Sequence, residues 1–122
     1  MKHFLLLAFV AILVSSCGKD NCSADTFVGT WAGTKTCTTS TGTSNVSIVV
    51  TKSGDKVIFN GDSFVDESMD RDDCTLEGGF SALGSGETYT ASVSEDGRSM
   101  TVTYEIKALS IVAERCTYTL TK

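Results

Sequence analysis

Phe27-Val28-Gly29-Thr30-Trp31-Ala32-Gly33-Thr34-Lys35-Thr36-Cys37 is the stretch that decides the fold. Phe27, Gly29, Trp31, Gly33 and Cys37 share one parity, while Val28, Thr30, Ala32, Thr34 and Thr36 share the other. Period-two alternation with threonine-rich outer positions marks a half-buried β-strand. The pattern repeats along the chain. After a polar loop at Thr38 to Ser44, Val46 to Thr51 reads as a strand ending at the turn signal Ser53-Gly54-Asp55. Val57-Ile58-Phe59 stops at Asn60-Gly61, the dipeptide best suited to a type I′ turn. Ser63 to Asp66 is a candidate short strand, and Asp66 to Asp73 reads as an acidic loop. Cys74, Leu76, Gly78, Phe80 and Ala82 alternate again, with Gly78-Gly79 pointing to a bulge or a close backbone approach. Thr88 to Ser94 and Met100 to Ile106 flank Asp96-Gly97 as a hairpin, and Val112, Cys116, Tyr118 and Leu120 share one face of a last strand. Ile106, Leu109 and Ala113 also fall at helical spacing, but Ile111-Val112 and the following Thr-Tyr-Thr-Leu-Thr favour strand.

About eight short strands separated by Gly, Asp and Asn turns predict an all-β fold. The expected architecture is a small up-and-down antiparallel β-barrel, with a small β-sandwich as the alternative. The chain contains no proline to block a strand edge, and closure is the other way to remove edges. Trp31, Phe59, Phe80, Tyr104, Tyr118 and Met100 compete for the space inside, so a filled or nearly filled interior is expected.

The N-terminus has a different character. Met1-Lys2-His3 precedes Phe4 to Val14, which has no polar side chain. This run is too short for a hydrocarbon core, which needs about 20 residues, and has the length of a signal-peptide h-region. It leads into Val14-Ser15-Ser16-Cys17, which resembles a bacterial lipobox. The resemblance implies cleavage before Cys17 and lipidation of that cysteine with diacylglyceryl and further acyl chains, palmitate among them. Gly18-Lys19-Asp20-Asn21 is similar to the tether of Bacteroidota lipoproteins, although Asn21 stands where a second acidic residue is usual. The implied location is the outer membrane, lipid-anchored and facing the periplasm or the cell surface. The expected organisation is a signal peptide over 1–16, the lipidated cysteine and tether over 17–25, and the barrel domain over 26–122.

Removing residues 1–16 takes away Lys2 and the single histidine, His3, leaving 9 basic against 15 acidic side chains. An acidic balance argues against nucleic acid as a partner. Without histidine there is no Ser-His-Asp or Cys-His mechanism and no ordinary His-ligated catalytic zinc. No enzyme activity, catalytic residue, metal or cofactor is expected. With Cys17 assigned to lipid, Cys22, Cys37, Cys74 and Cys116 remain, an even number that reads as two disulfides in an exported domain. Four cysteines allow three pairings, and their spacing does not choose among them.

Phe27-Val28-Gly29-Thr30-Trp31 resembles the Gly-x-Trp opening of lipocalins and related calycin barrels, most closely the short lipocalin-like domains of Bacteroidota lipoproteins. The ending Cys116-Thr117-Tyr118-Thr119-Leu120-Thr121-Lys122 is an approximate match to theirs. The resemblance implies that Trp31 plugs one end of the barrel. In calycins a basic residue of the final strand lies across this ring; Arg115 or Lys122 would supply it here, with Arg115 the expected partner. In a closed barrel the first and last strands are neighbours, and Cys37 and Cys116 have inward parity, so Cys37–Cys116 is the expected bridge and Cys22–Cys74 the remainder.

Asp62, Asp66, Glu67, Asp70, Asp72 and Asp73 form the densest charge; calcium is one reading and a solvated acidic loop the preferred one. The expected function is a membrane-anchored, non-enzymatic binding module. Its partners are the membrane, through Cys17, and a protein or small apolar ligand of unknown identity. The alternatives are a carrier of a small apolar ligand inside the barrel and a periplasmic inhibitor of a protease or lysozyme.

Overall fold

In the computed structural model, residues 21–122 are described; the expected signal peptide and Cys17 lie outside them. One helical turn, α1 (Ala24–Phe27), precedes eight strands: β1 (Gly29–Cys37), β2 (Ser44–Ser53), β3 (Lys56–Gly61), β4 (Phe64–Asp72), β5 (Thr75–Ala82), β6 (Ser85–Val93), β7 (Ser99–Ala108) and β8 (Ile111–Thr121). Each pairs antiparallel with the next, and β1 closes on β8 to complete the barrel. This is the up-and-down barrel that the alternation predicts, and not a sandwich. The helical spacing of 105–116 is overridden by pairing: Ile106 lies opposite Glu114 and Ala108 opposite Ile111.

Inward positions fill the barrel. Phe27, Trp31, Ile48, Val57, Phe59, Met69, Leu76, Val102 and Tyr118 are fully buried, and Phe64, Met100 and Leu120 nearly so. The seam between β1 and β8 runs from Ala32 opposite Thr121 to Cys37 opposite Cys116. It needs Gly33: a Cβ there would stand 1.9 Å from the Thr119 carbonyl oxygen. Disulfides join Cys37 to Cys116 and Cys22 to Cys74, with Cα separations of 4.0 and 5.0 Å. Both expected pairs form. Cys22 is buried, so the polar segment expected to act as a tether is pinned to the β4–β5 turn before α1 begins.

The two ends of the barrel differ. At one end α1 lies over the opening with Phe27 beneath it, and the Trp31 indole N–H donates to the Phe27 carbonyl at 2.7 Å. The basic residue over the Trp31 ring is Lys122, its Nζ 4.8 Å from the centroid, and not the expected Arg115. Lys122 also donates to the carbonyls of Thr26 and Val28, locking the last strand onto α1. Arg115 is excluded by parity: its neighbour Cys116 points inward, so Arg115 points out and pairs with Glu105 at 2.8 Å.

Two other expectations change. The turn between β3 and β4 falls at Asp62-Ser63, not at Asn60-Gly61, because a register shift after Phe59 keeps Gly61 in the ladder opposite Phe64. Asn60 instead accepts the Asp66 backbone N–H at 2.8 Å. The acidic stretch is strand rather than loop, with buried Phe64 and Met69 holding it down and Asp70 and Asp72 on the outer face. The β5–β6 and β7–β8 turns each hold a leucine in a conformation that disfavours it. Leu83 and Leu109 sit at φ 53° and 51°, a left-handed conformation costing a branched side chain about 1–2 kcal/mol.

Two stability outcomes follow. Lys122→Met removes the cation over Trp31 and two charge-assisted hydrogen bonds, and lowers unfolding free energy by about 1–2 kcal/mol; Arg115→Met, acting on an exposed pair, changes it by less than about 0.5 kcal/mol. The double variant Cys37→Ala/Cys116→Ala opens a loop with a sequence separation of 79 and costs about 4 kcal/mol in urea unfolding.

Candidate functional site

Chemistry collects at the end away from Trp31. In an up-and-down barrel the β1–β2, β3–β4, β5–β6 and β7–β8 connections share one end, while the chain entry, Cys22–Cys74 and α1 share the other. Inward positions near the first end carry Lys35, Glu67, Glu87, Tyr89, Tyr104, Glu114 and Tyr118. Strand parity puts them there: Lys35 is four residues after Trp31, Glu67 lies opposite buried Phe59, and Glu114 lies two before Cys116.

An aromatic floor supports this mouth. Phe64 meets Phe59, Tyr89 and Tyr118 at centroid distances of 5.5, 5.2 and 5.4 Å, and Tyr89 stacks on Tyr104 at 5.0 Å. The phenols turn their hydroxyls toward carboxylates. Tyr118 donates to Asp62 at 2.7 Å and Tyr89 to Glu87 at 3.1 Å. Burial and these acceptors disfavour phenolate, raising the Tyr89 and Tyr118 pKa values and pushing Tyr104 up to about 12. The tyrosines are therefore neutral hydrogen-bond donors throughout the physiological range.

The mouth carboxylates fall into two kinds. Asp62 is ionised and paired with Lys35. Burial opposes its ionisation, but hydrogen bonds from Lys35, at 2.8 Å, and from Tyr118 outweigh that, holding its carboxyl below the usual range. Lys35 also lies 5.4 Å from the Tyr118 ring centroid. Glu67 is the opposite case: burial and the nearby charge of Glu87 raise its pKa. Among the described residues neither Glu67 nor Glu87 pairs with a lysine or arginine. Together with Gly79, Phe80, Gly86 and Tyr89 they line an open cavity of about 380 Å³. Phe80 has inward parity yet is largely exposed, because it sits above the packed core on the rim of this cavity.

The expected site residues are distributed as follows. Cys22, Cys74, Cys37 and Cys116 are brought together as disulfides, Trp31 is buried at the closed end, and Arg115 is outside. Cysteine and carboxylate atoms cluster at Cys22, Asp73 and Cys74 and at Cys37, Glu114 and Cys116, but the sulfurs are spent in the two bridges. Cys17 is not among the described residues. The side chains of the mouth carry no motif of their own. Its signal was the Lys35 parity, which matches that of Trp31 and sends a charge inward where the neighbouring positions are small.

The chain matches no protein-family model, no curated protein and no solved structure.

The opposite shifts of Asp62 and Glu67 give opposite pH dependences. Asp62, with its lowered pKa, stabilises the fold above the ordinary aspartate range, and that contribution is lost as pH falls below about 4. Asp62→Asn therefore flattens the acid side of the urea-midpoint profile between pH 6 and 3. Glu67, with its raised pKa, destabilises once ionised, so Glu67→Gln raises the midpoint at pH 7 and leaves it unchanged at pH 3.

Proposed function

We propose that this chain is a lipid-anchored, non-enzymatic binding module of the bacterial cell envelope, held at the outer membrane through Cys17 and binding through the mouth of a lipocalin-like barrel. The observation that carries this reading is the contrast between the two ends. One end is covered by α1, Phe27 and Lys122 and stapled by Cys22–Cys74; the other holds carboxylates that no described lysine or arginine pairs with, a cavity and exposed apolar side chains. Rigid scaffolds carry recognition on the connections at one end. The anchor supports the same orientation. From Cys17 to Cys22 the chain spans at most about 18 Å, and it enters at the covered end, so the mouth is turned away from the membrane that holds it. A role as an inhibitor of a protease or lysozyme is one form of this reading. A carrier of an apolar molecule would need an empty interior, and Trp31, Phe59, Phe64, Met69 and Leu76 occupy that space.

A photo-crosslinking residue placed in intact cells at Thr39 or Ser63, near the mouth, is expected to give discrete adducts. The same residue at Lys52 or Asp55, near the covered end, is expected to give none. Cys17→Ala is expected to move the protein from the membrane to the soluble fraction. Adducts confined to the covered end would overturn the assignment of the mouth, and membrane retention of the Cys17→Ala protein would overturn the anchor.

A further inference from the structure

We infer that the tips of the β5–β6 and β7–β8 hairpins dock a protein segment in which a lysine or arginine is flanked by apolar residues. This rests on the reading of the mouth as the binding end and names what it binds.

The tips hold large apolar side chains in water. Leu83 is 99% exposed, Leu109 81%, Phe80 73% and Ile111 71%. Scattered exposed leucines need no explanation, but Leu83 and Leu109 lie on two adjoining turns of one end, with Phe80 and Ile111 on the strands beside them. The turns are joined directly: the Ser110 N–H donates to the Gly84 carbonyl at 2.7 Å, and the Leu109 N–H to Ser85 Oγ at 3.0 Å. The fold gains nothing from leucine at either position, because both leucines adopt positive φ and neither is buried. The β6–β7 hairpin shows the undemanding solution in the same chain, with Asp96-Gly97 at its turn. Strain that the fold does not use, held in a preset arrangement, lowers the ordering cost of binding an apolar partner.

Charge selects the occupant. Phe80 stands on the rim of the cavity that also contains Glu67 and Glu87, so an apolar group seated on the tips places its neighbouring residue next to two carboxylates that no described lysine or arginine pairs with. A cationic side chain fits there. A second copy of this chain would bring two acidic mouths together. A bilayer carries anionic headgroups, and the tips lie a barrel length, about 25 Å, from the end at which the chain enters. A basic and apolar protein segment satisfies both surfaces at once.

The test uses the double variant Leu83→Asn/Leu109→Asn in the full-length, lipidated protein in detergent. Asparagine accepts positive φ more readily than leucine, so the variant is expected to fold with an equal or higher thermal midpoint. The probes are immobilised 12-residue peptides bearing arginine between leucine and phenylalanine, with Arg→Glu and Leu/Phe→Ser versions as controls. The parent is expected to bind the first set at least tenfold more tightly than either control. The double variant is expected to lose that preference, and Glu67→Gln/Glu87→Gln to weaken binding and reduce its salt dependence. Equal peptide binding by parent and double variant would overturn the inference. So would tip-dependent binding to vesicles of phosphatidylethanolamine and phosphatidylglycerol, or tip-dependent self-association in sedimentation. If crosslinks at Thr39 or Ser63 persist while the double variant binds normally, the mouth remains the binding end and the tips are not its contact surface.

Discussion

Closure of β1 onto β8 is the constraint on which the rest of the molecule depends. Without that seam, a meander of eight short strands would leave two long edges, and the chain has no proline with which to blunt them. The seam is possible because Gly33 lets two backbones approach where any side chain would strike the Thr119 carbonyl. Cys37 and Cys116, directly opposite each other in this ladder, then make the closure covalent. Lys122 fastens the far end of the same strand to α1. One glycine, one disulfide and one lysine thus hold a join between residues about as far apart in sequence as the domain permits.

Much of this was legible beforehand for a simple reason. A closed barrel buries one parity of every strand, so period-two alternation carries both the strand and the side of the sheet it faces. Trp31, Phe59, Met100, Val102 and Tyr118 could be placed inside on parity alone, and the disulfide pairing follows once first and last strands are made neighbours. The failures arose where local preference and register disagree. Asn60-Gly61 is a good turn by composition, but a register shift keeps it in the ladder and moves the turn to Asp62-Ser63. The acidic run of β4 looks like loop because its outer face is carboxylate, while Phe64 and Met69 quietly hold the other face. Leu109-Ser110 bears no glycine, asparagine or aspartate, yet pairing on both sides forces a turn.

The candidate site was the least legible part. Its residues come from β1, β4, β5, β6, β7 and β8, and none is remarkable within its own strand. A lysine at Lys35 or a glutamate at Glu87 reads as surface until the neighbouring strands show that it points inward. Only the closed circle brings them to one rim. The same circle separates them from the hydrophobic layers below, where Phe64 touches three other rings and leaves the mouth standing on a rigid floor.

The placement of Trp31 has an optical consequence. It is the single tryptophan of the chain, entirely excluded from water and beneath an ammonium group at the covered end. Its emission is therefore a gauge of whether the seam and α1 are intact, while events at the mouth, a barrel length away, pass it by. The stacked Tyr89 and Tyr104, by contrast, form the chromophore nearest the carboxylates. The molecule thus carries separate intrinsic reporters for its integrity and for the occupancy of its open end.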